Sequence, residues 1–302
     1  MADGTRMNPG VDGDLIATDD ITDGGVANGQ KVERTKQGFG PDGEYSDVQL
    51  TNPLPVTGNA ISMIEVVAGN IPGYSVLNKF GQNPDIDTGS PEDIWDGGGN
   101  YVWPSAAQQM EVVSSSGSDD GPTGDGARSV TISGLDASYN AISETVVMNG
   151  VSAVTTALSF LRVFRMIVIS AGILEQNAGN IDVQGLGGGD IFARVSIGNN
   201  QTQMALYTVP AGKTLYICAI FGSVYNAVGK GYGEIELRVR VEGQVFAEKM
   251  NMGLASDGTT SFLRQIHIPL SVPAKADVLM KARVTANNTL VIGAFDGLLK
   301  DD

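Results

Sequence analysis

Histidine and cysteine occur once each in these 302 residues, and much familiar catalytic chemistry is argued against by that alone. His267, in the phrase RQIHIPL, cannot by itself supply a multi-histidine metal site or a histidine-based triad, and its strand-like setting predicts a structural side chain. Cys218, inside LYICAIF, has no partner for an internal disulfide and reads as a small buried hydrophobe. Basic residues are scarce as well: 19 Lys and Arg stand against 34 Asp and Glu, a net charge of -15. A chain so poor in cations is not built to neutralise phosphates, so no direct nucleic-acid partner is expected. No uncharged apolar run reaches the roughly 18 residues of a membrane helix, and the opening MADGTRMNPGVDGDL lacks the apolar stretch of a signal peptide. The expectation is a protein made in a cytoplasm, with no membrane partner.

Nucleotide and glycosidase chemistry fare no better. PAGKT at 210–214 ends like a phosphate-binding loop, but Tyr207 stands where that motif requires its first glycine, so the segment is read as a turn between strands. Acidic residues are plentiful in loops, yet their spacing fixes no catalytic geometry. The chain is therefore read as a non-enzyme without a cofactor.

What is abundant is glycine, 40 residues, beside only 6% aromatics and almost no apolar periodicity of 3.6. That combination predicts an all-β chain rich in turns. Residues 1–58 hold many turn formers and few apolar side chains, which predicts an extended N-terminal arm that does not fold by itself. The proline-bearing VQLTNPLPV at 48–56 suits an edge or a segment laid over another subunit. ISMIEVVAG at 61–69 reads as a strand, SVTIS at 129–133 and ISETVVM at 142–148 as a hairpin pair, and LSFLRVFRMIVI at 158–169 as a strand with an irregularity. SSSGSDDGPTGDG at 114–126 reads as an exposed loop.

GLGGG at 185–189 reads as punctuation between two domains. Eight strand-length segments follow within about 110 residues, as expected of a sandwich or jelly roll. The predicted architecture is thus two β-sandwich or jelly-roll-like domains, 59–189 and 190–302, behind the arm. In EIELRVRV, Ile235, Leu237, Val239 and Val241 alternate with Glu234, Glu236, Arg238 and Arg240, the pattern of a strand with one apolar face. Acids outnumber bases ten to four over 1–60 and fifteen to four over 61–190, but number nine against eleven over 191–302. The near-neutral last third is where copies of the chain can approach each other, and Glu234, Glu236, Arg238 and Arg240 are candidate rim pairs.

One stretch concentrates special residues. NPDIDTGSPEDIWDGGGNYVWP at 83–104 holds both tryptophans, five acids, three consecutive glycines and three prolines. Trp95, Tyr101 and Trp103 are candidate anchors of a contact between subunits, or the closing layer of the chain's own core. Asp85, Asp87, Asp93 and Asp96 fall at positions 1, 3, 9 and 12 of a calcium-loop count. Gly89 at position 5, Ser90 at position 6 and Asp rather than Glu at position 12 depart from that pattern, so calcium is a weak candidate only.

NPDIDTGSPEDIWDGGG at 83–99, GARSVTISGLDASYN at 126–140 with ETVVMNG, NQTQMALYTVPAGKT at 200–214 and LRVRVEGQVF at 237–246 resemble, in that order, a group of tailed-bacteriophage virion proteins. The resemblance covers most of 60–302 and leaves out the arm. It implies a structural component of the particle, most plausibly a head decoration (cement) protein at the capsid surface. The expected partners are the major capsid protein and further copies of the chain, the near-neutral last third forming a homotrimer. A neck, tail or baseplate part is the second implied role. The third is a head fibre or carbohydrate-binding adhesin, with Trp95, Tyr101 and Trp103 as a stacking platform. No site residue is carried over from the group.

Overall fold

The computed structural model describes residues 63–302, apart from the side chains of 227–230 and 256–259, and before residue 63 only the backbone of four short strands. These are β1 (Asp3–Arg6) paired with β2 (Leu15–Thr18), and β3 (Gly38–Phe39) paired with β4 (Ser46–Asp47). The expected arm otherwise lies outside the described residues. Residues 62–302 form one compact unit, and it is all-β in antiparallel sheets save for one helical turn.

That turn, α1 (Met63–Val67), stands where a strand was expected. Ile64 and Val67 are exposed there, so no neighbouring sheet rewards an extended conformation. The backbone instead satisfies itself locally, Ala68 N–H donating to Ile64 O at 2.9 Å.

The largest sheet is organised by β15 (Lys213–Arg240), 28 residues long. Two of the eight strand-length segments expected in the last third, those at 214–221 and 233–241, fall in the two halves of this one element. β16 (Ala247–Val272) runs along one side of it, from Leu215 against Val272 to Val239 against Ala247. On the other side β18 (Thr289–Asp301) pairs with the first half and β17 (Asp277–Val284) with the second. β5 (Tyr74–Ile86) extends the sheet beyond β18, while β14 (Leu206–Thr208) and β6 (Glu92–Asp93) pair with β17.

β15 folds back around 227–230. A Cβ on Gly222 would come within 2.6 Å of Ile235 Cδ1, and one on Gly233 within 2.9 Å of Val224 Cγ2, so the two halves face each other at contact distance. Between them lies a first core of Leu215, Ile217 and Val224 from one half, Ile235, Leu237 and Val239 from the other, with Val278, Met280, Val291 and Phe295. Ile235, Leu237 and Val239 of EIELRVRV point into it, as the alternation requires, whereas Val241 lies past the end of β15 and is not part of it.

A second core is built by shorter strands. β7 (Met110–Ser114), β10 (Val154–Thr155), β12 (Ile181–Gly185) and β13 (Ile191–Val195) form a four-stranded sheet. β8 (Ala127–Leu135), β9 (Ala141–Val147) and β11 (Arg162–Ala171) form a three-stranded one. Met110, Val112, Ile132, Met166, Val183 and Phe192 meet Trp95, Met204, Leu206 and Leu279 there. The expected hairpin is β8–β9, and the expected irregularity in β11 is a set of register shifts at Val163/Arg165 and Val168/Ser170.

The two cores draw on the chain differently from a cut at residue 190. Gly185–Gly189 turns the chain between β12 and β13, which pair with each other, so the glycines sit inside one sheet. β13 and Leu206 belong to the second core, whereas β5 joins the sheet of the last third.

The acidic 114–126 segment is anchored rather than simply exposed. Asp119 is wholly buried, and its carboxylate accepts from the backbone N–H groups of Ala127 (2.7 Å), Ala178 (2.7 Å) and Gly179 (2.9 Å) and from Ser114 Oγ (2.6 Å). Four donors to one carboxylate offset its desolvation and tie this loop to the far end of the 172–180 connection.

Candidate functional site

The 83–104 stretch runs along the edge of β17, where β6 pairs with Lys281 and Ala282 and Ile94 N–H donates to Met280 O at 2.9 Å. Trp95 and Tyr101 are 4% and 5% exposed, part of the second core, with their rings edge to face at 5.2 Å. They close this chain's own core and offer no platform to a ligand. The three glycines follow from that packing: a Cβ on Gly97 would lie 2.1 Å from the Trp95 ring, and Gly98 and Gly99 take φ of +70° and +62°. Trp103, half-buried, packs edge to face on Tyr101 at 4.9 Å and remains at the surface.

The four calcium-count aspartates are not brought together. Asp85 and Asp87 are exposed, Asp87 accepting from the Asn288 N–H at 3.1 Å. Asp93 is buried, accepts from the Tyr101 N–H at 2.8 Å and lies 3.0 Å from Lys281 Nζ. Burial outweighs that lysine and raises its pKa above the ordinary carboxylate value. Asp96 accepts from Gln203 N–H (2.8 Å) and Ser196 Oγ (3.0 Å), and burial pushes its pKa up to about 6. Among the described residues no group of three His, Cys, Asp or Glu side chains could hold a metal ion.

Glu234, Glu236, Arg238 and Arg240 share one face of β15, on which Glu236 is buried and the other three are half-buried. Glu236 is 4% exposed, with Arg238 Nε at 2.5 Å from its carboxylate. Opposite in register, Glu236 faces Lys281 and Arg240 faces Asp277 on β17, a ladder of opposite charges across the pair. The ladder ends in a cluster that the sequence reading missed. Asp277, 3% exposed, accepts from Arg240 Nη2 (2.6 Å) and Nε (2.9 Å) and from Arg162 Nε (3.1 Å). Arg162 Nη1 donates to Pro104 O at 2.7 Å. The Arg240 guanidinium lies 5.1 Å from the Trp103 ring centre and 4.5 Å from that of Phe246, and Arg162 lies 5.3 Å from Trp103. Two arginines are thus fixed by one carboxylate and stacked aromatics. The alternation of charges in EIELRVRV marked Arg240, but Arg162 and Asp277 come from distant strands and carried no local signal.

This cluster floors a cleft of about 610 Å³ beside the β15–β16 turn, walled by Trp103, Ala107, Tyr139, Gln244 and Lys275.

A different feature lies along β16. Among the described residues it pairs only with β15, which leaves its outer edge open over 26 residues. Only Leu254 and Val272 of its described side chains are buried. Phe262, Ile266 and Leu270 rest partly on the first core, while Leu263 is 68% and Ile268 86% exposed. Residues 266–269 bulge out opposite Cys218, and Pro269 interrupts the edge there. His267 sits in this bulge and is exposed rather than structural, and Cys218 is half-buried, its thiol donating to Tyr216 O at 3.4 Å.

No family model matches the chain, and no curated protein matches it. Among solved structures it is similar to the infectious bursal disease virus Gt strain structure, at 9% identity over 80% of this chain and 78% of that one, with a TM-score of 0.20. The Gx strain structure matches at 8% identity over 75% and 77%, TM-score 0.18. Infectious bursal virus derived T=1 particles match at 10% over 76% and 78%, TM-score 0.17. Scores this low do not establish a shared fold.

Proposed function

We propose that this chain is a virion structural protein of a tailed bacteriophage, a decoration protein on the capsid surface that acts through contacts and not through catalysis. The observation that carries the reading is the open edge of β16. A strand edge presents unpaired N–H and C=O groups, and proteins that stay monomeric usually blunt such edges along their length. Here Pro269 and three register shifts, at Ile217/Ala219, Asn226/Gly231 and Leu237/Arg238, interrupt the edge only locally, while Leu263 and Ile268 stand in solvent. A second copy of the chain is the occupant that fits. The last third carries nine acids against eleven bases, so copies can approach there without the repulsion that a net charge of -15 imposes elsewhere. The sequence resemblance to virion proteins supplies the setting, with the major capsid protein as the other partner and a trimer as the assembly. The two facing halves of the β15 sheet, with the shorter sheets beside them, are read as sandwich or jelly-roll-like layers of the kind such proteins use.

The test is attachment. Purified chain is mixed with expanded capsids lacking it, and bound protein is counted by densitometry. Saturation at tens to hundreds of copies per particle, lost with the double substitution Leu263→Lys, Ile268→Lys, is the expected result. Saturation at a few copies, in multiples of three or six, places the chain at the neck or tail instead. Binding untouched by the double substitution removes β16 from the contact.

A further inference from the structure

We propose that the cleft beside the β15–β16 turn is a binding site for a small carboxylate-bearing molecule of sugar size, a uronic acid being the chemical class. In a chain of net charge -15, three cations converge here: Arg162, Arg240 and Lys275. Asp277 and Glu242 are the acids that face them, which leaves one positive charge in excess and suits a monoanion better than a phosphate dianion. Asp277 is fully engaged, accepting from both arginines and from Thr208. It orients the guanidinium groups and leaves none of its own capacity for a ligand.

Donors remain. Arg240 bonds Asp277 through Nε and Nη2, and its Nη1 has no hydrogen-bond acceptor among the described residues. Lys275 holds only Glu242, at 3.5 Å, with both side chains well exposed at 39% and 52%, an ion pair of the kind water screens and a ligand displaces. The donors are preorganised: Arg240 is stacked on Trp103 and Phe246, and Lys275 lies 5.5 Å from the Tyr139 ring centre. Tyr139 itself is held at φ +64°, a conformation costly for a bulky residue and maintained by Asp136, whose Oδ1 accepts from Ser138 N–H and Asn140 N–H at 2.8 Å each. Small residues, Ala106, Ala107, Ala137 and Gly243, line the remaining wall, and the volume of about 610 Å³ lies within the range of small-ligand pockets.

The experiment is calorimetric titration of the full chain with glucuronate, glucose and inorganic phosphate at one ionic strength. Glucuronate should bind saturably, glucose not at all, and phosphate more weakly than glucuronate. Lys275→Gln, on the rim, should weaken glucuronate about tenfold. Glu242→Gln, which removes the competing acid, should tighten it several-fold, a gain that a damaged fold does not produce. Arg283→Gln, exposed on β17 away from the cleft, should change nothing. Absence of glucuronate binding, equal binding of glucose, tighter binding of phosphate, or indifference to both rim substitutions overturns the assignment.

Discussion

β15 and β16 are neighbours of almost equal length, 28 and 26 residues, paired from end to end, yet one is the spine of the fold and the other its margin. β15 has a partner on each side and buries Leu215, Ile217, Val224, Ile235, Leu237 and Val239. β16 has one strand partner among the described residues, and of its described side chains only Leu254 and Val272 are buried. A strand that orders 26 residues loses backbone entropy along its whole length, and burial in the first core offsets little of that in β16. The difference teaches that the stability of β15 is internal to the chain, whereas β16 leaves one edge and most of its described side chains uncovered.

The largest effect that tests this contrast falls on the charged cluster anchored to β15. Asp277→Asn removes the one carboxylate among the described residues that bonds both Arg162 and Arg240, and breaking such a buried arrangement costs about 3–5 kcal/mol. Denaturant unfolding of the full chain should show that loss. A change under about 1 kcal/mol would mean that water already reaches the two guanidinium groups.

Leu237→Ala in β15 comes next. Leu237 is 1% exposed in the first core, and a cavity there should lower stability by about 2–5 kcal/mol. The matched truncation Leu263→Ala in β16 should stay within about 0.5 kcal/mol when monomer is compared with monomer. Equal losses at the two positions would erase the distinction between spine and margin.

The loop packed on β17 offers a pH test of intermediate size. Burial raises the folded pKa of Asp96 to about 6, above the roughly 3.9 of an unfolded chain. A raised carboxylate pKa contributes stability fully present below about pH 4, and that contribution is lost as pH rises through about 6. Wild type should therefore lose stability relative to Asp96→Asn between pH 4.5 and 7.5, by at most about 2 kcal/mol and by less where water reaches the carboxylate. A difference between the two proteins that stays constant with pH would contradict this.

Much of the first core was legible because alternation is a local signal. Of Ile235, Leu237, Val239 and Val241, which the alternation puts on one face, the first three lie in the first core and Val241 falls past the end of β15, and SVTIS and ISETVVM mark the β8–β9 hairpin. What stayed hidden were partners far apart in sequence. Nothing near Asp277 announces Arg162, 115 residues away, and nothing in SSSGSDDG announces that Asp119 will collect backbone donors from Ala178 and Gly179. The alternation groups Glu234, Glu236, Arg238 and Arg240 on one face, but that Arg240 meets Asp277 and Trp103 there depends on residues distant in sequence. The tryptophans illustrate the same limit: a Trp beside glycines suits an interface and a core equally, and only the ring of Trp95 lying against Gly97 distinguishes them. α1 failed in the other direction, because ISMIEVVAG has strand propensity and no sheet to join.

The smallest expected effect on the fold is the largest on assembly. Leu263→Lys with Ile268→Lys places two charges on exposed positions of β16 and should leave unfolding of the monomer within about 0.5 kcal/mol of wild type. Light scattering of the full chain over a range of micromolar concentrations tests the claim most directly. The wild-type chain should run as a closed oligomer whose mass persists when salt is raised, since apolar and backbone contacts are not screened, and the double variant should run as a monomer. A wild-type chain that is strictly monomeric at high micromolar concentration, or a double variant that assembles like wild type, would contradict completion of β16 by a second copy.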